Sequence, residues 1–497
     1  MKLKFLKNSL YLLVAVFLLG CEDAIDIEQV GRLTPDKTFI TVDDFELGVN
    51  GVYTTYDLTS EISFNAEYTD EVAEGVGSGG QGFSTAFIFN LTAASGPAVA
   101  FFSQGYSQLN AVNRVIEASD GILINDESEQ ERFDNALGQA YALRAYSHFQ
   151  LLSYYSTDYT DDNALGVILV TEVPEITDQP LRSTNGEVFQ SIEDDLISAG
   201  QLIVDESSPT RTTVSNDFVK ALRARIAAYR RDYPTAINLA QELLSDYPLA
   251  NREDYPLIWT DESNEEIIFK LERTLNDPFD GQSGWAGGAF AFVNATAGGG
   301  AFYEFGRNLF NLFDPEDIRY DTFLAPSSII SPDYQNAGNY IEEDVLAIAK
   351  YPGSENQNLM NDLKVFRSSE MALIIAEGYA DNNSLNGGSN SVASMLKMIR
   401  DARFEDPQPL LSFSSQQEAF AAILNERRVE LAFEGHRYKD VKRLGQRANQ
   451  DIVRDDQDCL RFGVCELEND SFKLTLPLPI VEFNGNPGLR AQQNPGY

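Results

Sequence analysis

The sequence ERRVELAFEGHRYKDVKRLG at residues 426–445 carries the strongest pattern in this chain of 497 residues. Its acidic residues Glu426, Glu430 and Glu434 recur at every fourth position, so a helix would place them on one stripe of its surface. The apolar positions around them follow the same period and predict a helix over residues 416–433. Such a density of charge indicates either an acid–base site or a set of ion pairs that stabilises the fold.

These two interpretations imply different functions. Hydrolases use paired carboxylates with basic groups nearby. The helical spacing favours a structural network instead, in which the glutamate stripe pairs with Arg437 and Arg443 or with Arg367 and Arg144. The chain has only two histidines and carries neither a GxSxG nor an HExxH motif. We therefore expect a protein that is not an enzyme and that uses no metal and no cofactor.

Helical periodicity recurs along much of the chain. The segment from Asp217 to Pro248 predicts two helices joined by a turn at Arg231-Asp232, which matches the second half of a tetratricopeptide repeat. Further helix pairs over residues 40–245 favour a solenoid over one isolated hairpin, so we expect a mainly α fold. The other predicted helices cover residues 101–118, 130–155, 188–203, 365–380 and 392–400.

Residues 250–360 differ in composition, with a strand-like segment at 266–271 followed by a run rich in glycine and aromatic residues. Loops of this length inside a compact chain are usually functional. Trp259 precedes the strand-like segment and is expected in the core. Trp285 lies between glycines, where no apolar period would bury it, and we expect it to face a ligand or partner.

The N-terminus has the pattern of a lipoprotein signal peptide. Three lysines precede an apolar segment of about ten residues, which is too short to span a bilayer as a helix, and Leu18-Leu19-Gly20-Cys21 follows. We therefore expect removal of residues 1–20 and acylation of Cys21, which would anchor a water-facing domain to a membrane.

Acidic residues dominate the charge of the chain. The formal charge is −39, and without the three leader lysines 34 basic residues stand against 76 acidic ones, a charge of −42. A surface of this sign repels polyanions, which nearly excludes nucleic-acid binding and disfavours anionic polysaccharides more weakly. Neutral ligands therefore fit the composition better.

Two further cysteines, Cys459 and Cys465, lie six positions apart in a polar segment. In an oxidising compartment this spacing is compatible with a short disulfide loop, and two free thiols are the alternative. Two cysteines alone do not complete a zinc site.

Four blocks of sequence occur in order along the chain. They are ALRAY at 142–146, FRSSEM at 366–371 with AE at 376–377, the stretch at 426–445, and PLP at 477–479 followed by NP at 486–487 and QNPGY at 493–497. Together they resemble the SusD/RagB-like outer-membrane lipoproteins of Bacteroidetes. The resemblance implies an all-helical, tetratricopeptide-like solenoid with a loop-rich insertion and irregular C-terminal segments. It also implies that the protein captures a nutrient polymer at the cell surface and delivers it to a SusC-like TonB-dependent transporter.

The resemblance also gives a division of the chain and a location. We expect an outer-membrane protein, held by lipid at Cys21 and facing the cell exterior. The predicted parts are a signal peptide (1–20), a tether (21–38), an N-terminal helical region (39–249), a loop-rich variable insertion (250–360) and a C-terminal signature region (361–497).

A sugar polymer needs flat apolar faces for its rings and short polar groups for its hydroxyls, and aromatic residues on loops supply the former. The Gly-rich part of the insertion offers such residues. In the family, the stretch after the first long helix also faces the ligand, so a carboxylate there could accept hydrogen bonds from hydroxyls. The predicted ligand-binding residues are Trp285, Phe279 and Tyr303 in the insertion, and Tyr68, Asp70 and Phe83 in the earlier stretch.

Two other functions stay open at this point. A RagB-like lid that binds oligopeptides would use backbone hydrogen bonds in a large polar cavity. A tetratricopeptide scaffold that binds only proteins would share the helical pairs and have no affinity for small ligands. We favour a neutral poly- or oligosaccharide as the ligand, with the oligopeptide lid as the alternative.

Overall fold

A computed structural model describes residues 38–75, 77, 85–275, 301–331, 344–459 and 462–497. The fold is mainly α, as predicted, with short two-stranded sheets between the helices. The predicted signal peptide and Cys21 lie outside the described residues. Of the helices within those ranges, none combines the length and the apolar character that a membrane span requires.

The helices fall into three groups along the chain. The N-terminal group is α1 (Val42–Tyr53), α2 (Thr59–Tyr68), α3 (Gly96–Ala118), α4 (Glu127–Tyr155), α5 (Asn185–Leu202), α6 (Asn216–Tyr229) and α7 (Tyr233–Asp246). The insertion adds α8 (Tyr255–Trp259), α9 (Arg307–Phe310) and α10 (Ile318–Phe323). The C-terminal group is α11 (Ser368–Asp381), α12 (Val392–Arg403), α13 (Gln416–Glu430), α14 (Arg437–Ala448), α15 (Asp456–Cys459) and α16 (Glu482–Gly485).

The hairpin predicted between Asp217 and Pro248 is present as α6 and α7. The Ser215 hydroxyl accepts a hydrogen bond from the Phe218 amide at the start of α6, and the Asp232 carboxylate accepts one from the Thr235 amide at the start of α7. Each side chain thereby gives a hydrogen-bond acceptor to a backbone amide that the first turn of a helix would leave without a partner.

Helix α7 packs on α11 although the whole insertion separates them in sequence. Gly378 permits the approach, because a Cβ there would lie 2.6 Å from Cδ1 of Ile237. In the N-terminal group, helix α4 packs against both α3 and α5. One connected apolar core therefore includes residues from both ends of the chain, and the insertion contributes Trp259, Phe305 and Phe323 to it.

The strands are short and tie the insertion to the rest of the molecule. They are β1 (Val72–Glu74), β2 (Ile267–Leu271), β3 (Tyr303–Phe305), β4 (Gly353–Ser354), β5 (Gln357–Asn358), β6 (Leu363–Arg367), β7 (Ile452–Val453) and β8 (Glu466–Leu467). β2 pairs antiparallel with β6, and β1 pairs antiparallel with β3.

Two predictions about local structure need correction, and some helices are additional to the predicted ones. The helix expected over 416–433 ends at Glu430, because Phe433 and Gly435 have φ of 61° and 82° and form a turn. Residues 365–367, expected in a helix, belong to strand β6. No bounds were predicted for α1, α2 and α14, whose apolar residues lie in the core, among them Val441 and Leu444 of α14.

Candidate ligand-binding site

The glutamate stripe of the signature region lies in a buried ion-pair network, as predicted. Arg319, Arg367 and Arg403 surround Glu430, each with a nitrogen 3.0 Å from one of its oxygens. Burial alone would raise the pKa of Glu430, but these three guanidinium groups hold it well below its usual range.

The neighbouring glutamates join the same network from different positions. Glu434 lies beyond the end of α13 and still pairs with Arg367 and with Lys350, each at 2.7 Å. Glu426 pairs with Arg319 at 2.8 Å. The arrangement neutralises carboxylates rather than exposing them, which is the geometry of a structural network.

Three arginines that the sequence offered as partners of this stripe pair elsewhere. Arg437 pairs with Asp70, Arg443 with Glu377 and Asp440, and Arg144 with Asp195. Only Arg367 of the four predicted partners contacts the stripe among the ion pairs of the described residues. Helical spacing identified the stripe, but it could not show which distant element would bring the cations.

The β1–β3 pair joins the two stretches that the sequence nominated for ligand binding. Glu74 lies opposite Tyr303, and the Gly75 and Gly77 amides donate to the carbonyls of Phe302 and Ala301, both at 2.8 Å. A Cβ at Gly75 would lie 2.9 Å from the Ala301 carbonyl carbon, so this close approach needs glycine. We name residues 72–75, 77 and 301–305 the β1–β3 corner. The predicted ligand-binding residues Phe83 and Trp285 belong to stretches that adjoin this corner in sequence.

Tyr68 and Asp70 precede β1 in the chain and are buried, which corrects the expectation that they face a ligand. The Tyr68 ring packs against Phe64 and Tyr438, and its hydroxyl donates to the Lys473 carbonyl at 2.9 Å. Asp70 accepts hydrogen bonds from Arg437 at 2.8 and 2.9 Å. Burial alone would raise its pKa, but Arg428 and Arg437 outweigh burial and lower the pKa to about 2.

Tyr303 is also mostly buried, with 5 % of its surface exposed. Its hydroxyl donates to Oε1 of Glu67 at 2.8 Å, so it links β3 to α2 rather than offering an open ring. Trp285, Phe279 and Phe83 lie outside the described residues, and their assignment to ligand binding stays a prediction. Trp259 is buried in the core, as expected.

Two buried arginine contacts that the sequence did not reveal hold the corner from the C-terminal side. Arg454 donates to the carbonyls of Glu67 and Thr69, before segment 78–84, and to that of Phe87 after it. The Arg307 amide and side chain both donate to Asp458, each at 2.8 Å. No periodic pattern marks these residues, because each acts through backbone groups or through a single distant partner.

The predicted cysteine pair lies next to these contacts. The structure joins Cys459 and Cys465 in a disulfide, and Phe462 within that loop packs edge-on against Phe87. Within the described ranges, Asp456 with these two cysteines is the one group of three ligand-type side chains close enough together for a metal ion. A disulfide uses both sulfurs, so we assign that group no metal.

Glu71 contrasts with its neighbour Asp70. Its Oε1 accepts a hydrogen bond from the Phe433 amide at 3.0 Å, and its buried Oε2 has no hydrogen-bond partner in the described part of the chain. Burial raises the pKa of Glu71 to about 7 against the effect of that amide. The carboxyl therefore titrates near neutral pH inside the protein.

Two of the cavities formed by the described residues are large enough for a small ligand. A groove of about 560 Å³ runs between α5, α6 and α7 and includes Phe189, Arg223 and Arg230. A cavity of about 260 Å³ lies between the end of α4, helix α14 and the C-terminal segment, and Phe472 forms part of its wall.

Comparisons with known proteins agree with this fold. The model of the SusD family matches residues 326–497, and a second family model, described as starch-binding and associating with the outer membrane, matches residues 36–227. SusD-like protein P2 of Formosa agariphila is 24 % identical and aligns over 98 % of this chain and 99 % of its own length.

Solved structures extend the comparison to three dimensions. A SusD superfamily protein from Bacteroides thetaiotaomicron covers 92 % of this chain and all of its own, with a TM-score of 0.74 at 22 % identity. A SusD-like carbohydrate binding protein from Bacteroides vulgatus covers 91 % of this chain and 98 % of its own, with a TM-score of 0.71 at 20 % identity. With the four sequence blocks and the two family models in their expected places, the chain belongs to the SusD/RagB-like family.

Proposed function

We propose that this protein is a cell-surface lipoprotein that captures a neutral poly- or oligosaccharide and delivers it to a SusC-like TonB-dependent transporter in the outer membrane. The observation that carries the proposal is the β1–β3 corner, where the two stretches that the sequence nominated for ligand binding meet at one end of a sheet. Binding sites commonly use loops that a scaffold positions, and the buried Arg454 and Arg307 contacts join this corner to the C-terminal region.

The choice of a neutral glycan rests on charge and on the relatives. A formal charge of −39 opposes capture of polyanions. One matching family model is described as starch-binding, and one matching structure is of a carbohydrate binding protein. Both support a sugar ligand for this chain over a peptide.

The anchor and the transporter belong to the same proposal. The pattern ending at Cys21 supports acylation there, and the family description supports association with the outer membrane. The proposed function includes no catalytic role. The charged residues that could resemble an acid–base site are neutralised within the ion-pair network.

Affinity electrophoresis of residues 22–497 tests the proposal. The gels contain neutral glucans, fructans or mannans, and parallel gels contain an anionic polysaccharide. Calorimetry with a mixed peptide digest forms the third arm. We expect retardation in one neutral polysaccharide only. Binding to peptides alone would transfer the function to the oligopeptide lid, and binding to none of the three ligand classes would contradict capture of ligand by the isolated lipoprotein.

A further inference from the structure

Phe472 differs from every other aromatic residue in the described ranges. It is 45 % exposed, whereas the other described aromatic side chains are buried or partly buried. It occupies the first position of a short 3₁₀ turn (Phe472–Leu474), where the Ser471 hydroxyl accepts a hydrogen bond from the Lys473 amide. A single exposed apolar residue is ordinary on a protein surface, so its surroundings decide whether it has a role.

The chain terminus supports the Phe472 ring from behind. Gly496 has a φ of 90°, and a Cβ at this position would overlap the ring, so only glycine fits here. The Tyr497 ring packs edge-on against Phe472 with centroids 5.2 Å apart. Asn494 holds this segment by donating to the carbonyls of Tyr155 and Leu476. Phe472 is therefore an aromatic surface with a preset orientation that remains accessible to solvent.

Polar side chains surround this ring. The Lys442 side-chain nitrogen donates to the carbonyls of Ser153 and Ser156, at 3.1 and 2.6 Å, and lies 4.9 Å from the centre of the Tyr159 ring, so these contacts fix its position in the cavity wall. Beside Phe472, the cavity of about 260 Å³ is lined by the polar residues Thr157, Gln446, Asn469, Asp470 and Ser471. An aromatic face beside hydroxyl, amide and carboxylate groups is complementary to a sugar ring, which has an apolar C–H face and a rim of hydroxyls.

The larger groove between α5, α6 and α7 lacks this combination. Its aromatic residue, Phe189, is 6 % exposed, and the Arg230 guanidinium lies over its ring at 4.4 Å. Arg230 in turn pairs with Asp162 at 2.7 Å. The aromatic face is thus already covered, so the smaller cavity is the better match for a sugar.

We propose that the cavity beside Phe472, which we name the Phe472 cavity, binds one neutral pyranose unit with its C–H face against Phe472. Its volume lies just below the range of about 300–1,000 Å³ typical of drug-sized ligands, which suits one ring and not several. This assignment goes beyond the proposed function, because it places a sugar unit on the described residues around Phe472. Asp470 in the wall disfavours a uronate in the same position.

Ligand-observed saturation-transfer NMR tests the assignment with residues 22–497 and the methyl glycosides of glucose, mannose and galactose. We expect transfer to the ring protons of at least one glycoside, and Phe472→Ala should weaken its binding about tenfold. Phe472→Tyr keeps the ring and should retain binding. Leu410→Ala removes another exposed apolar side chain, 53 % exposed, and serves as the matched control.

The outcomes separate this assignment from the proposed function. If no glycoside shows transfer, or if Phe472→Ala binds as the unmodified protein does, the assignment is wrong even when a polysaccharide retards the protein in gels. If a glycoside binds in a Phe472-dependent way and no polysaccharide causes retardation, the assignment stands and the proposed function fails. An unchanged melting temperature for Phe472→Ala shows that the loss is not due to unfolding.

Discussion

The ion-pair network around Glu430 and the Phe472 cavity both contain side chains that could carry a function, and they use them in opposite ways. In the network, Arg319, Arg367 and Arg403 neutralise Glu430, and all four side chains are buried. In the Phe472 cavity the aromatic ring keeps 45 % of its surface exposed beside polar groups. The comparison teaches that a residue type suited to catalysis or binding can serve that function only where the fold leaves its side chain accessible.

The largest expected effect comes from breaking the network. Arg367→Ala would leave Glu266, Glu430 and Glu434 buried with less positive charge around them, and we expect a loss of about 3–5 kcal/mol in the free energy of unfolding. Arg132→Ala is the control, because its pair with Asp43 is exposed and should contribute less than about 1 kcal/mol. Urea denaturation measures both, and equal losses would contradict a structural role specific to the network.

Glu71→Gln tests the role of the buried Glu71 carboxyl, whose Oε2 has no hydrogen-bond partner among the described residues. Its folded pKa of about 7 exceeds the pKa of 4.5 expected for the unfolded chain, so the folded state holds the proton more tightly and Glu71 lowers stability as pH rises through this window. The variant should be more stable than the unmodified protein at pH 8, on the order of 3 kcal/mol, and nearly equal to it below pH about 4.5. Melting temperatures across this range check the sign, and a stabilisation independent of pH would contradict the assignment.

Gly75→Ala tests the β1–β3 corner. The added methyl group would collide with the Ala301 carbonyl, and we expect a loss of about 1–3 kcal/mol together with weaker retention in the polysaccharide gel. Gly51→Ala is the matched control, because Gly51 lies in α1 with nothing within 4 Å of an added Cβ. That change should stabilise the protein by about 0.5–1 kcal/mol and leave glycan binding unchanged.

Phe472→Ala should have the smallest effect on stability. Surface substitutions usually stay within about 0.5 kcal/mol, and nearly half of this side chain is exposed. Thermal denaturation measures the change. A loss as large as that expected for Arg367→Ala would show that Phe472 is a core residue, and the contrast with the network would then disappear.

Sequence alone predicted the fold class, the α6–α7 hairpin, the buried Trp259 and strand β2, because periodic apolar spacing reports local structure directly. It also identified the glutamate stripe as a structural feature. It could not predict that Arg319 and Arg403 complete that stripe, since Arg319 comes from the distant insertion and Arg403 from the end of the preceding helix α12, and spacing within α13 identifies neither. Helical spacing likewise extended α13 past Glu430, because it does not register the turn at Phe433.

The candidate site was less predictable than the fold. Tyr68, Asp70 and Tyr303 have residue types suited to sugar binding, but the fold uses them for packing, for an ion pair and for a link to Glu67. Phe472 carries no sequence signal of its own, because its exposure depends on Gly496 and Tyr497 at the end of the chain. Whether a polar or aromatic group is covered depends on tertiary contacts, and these are not periodic.

Hydrogen–deuterium exchange with and without the retained polysaccharide tests the central claim most directly, because it locates the ligand on the folded protein. We predict slower exchange in peptides covering residues 72–87, 276–305 and 469–475, and no change in residues 426–437 of the ion-pair network. Protection confined to residues 223–239, in the groove between α6 and α7, would contradict the account. It would place the ligand on a surface whose aromatic ring the structure covers with Arg230.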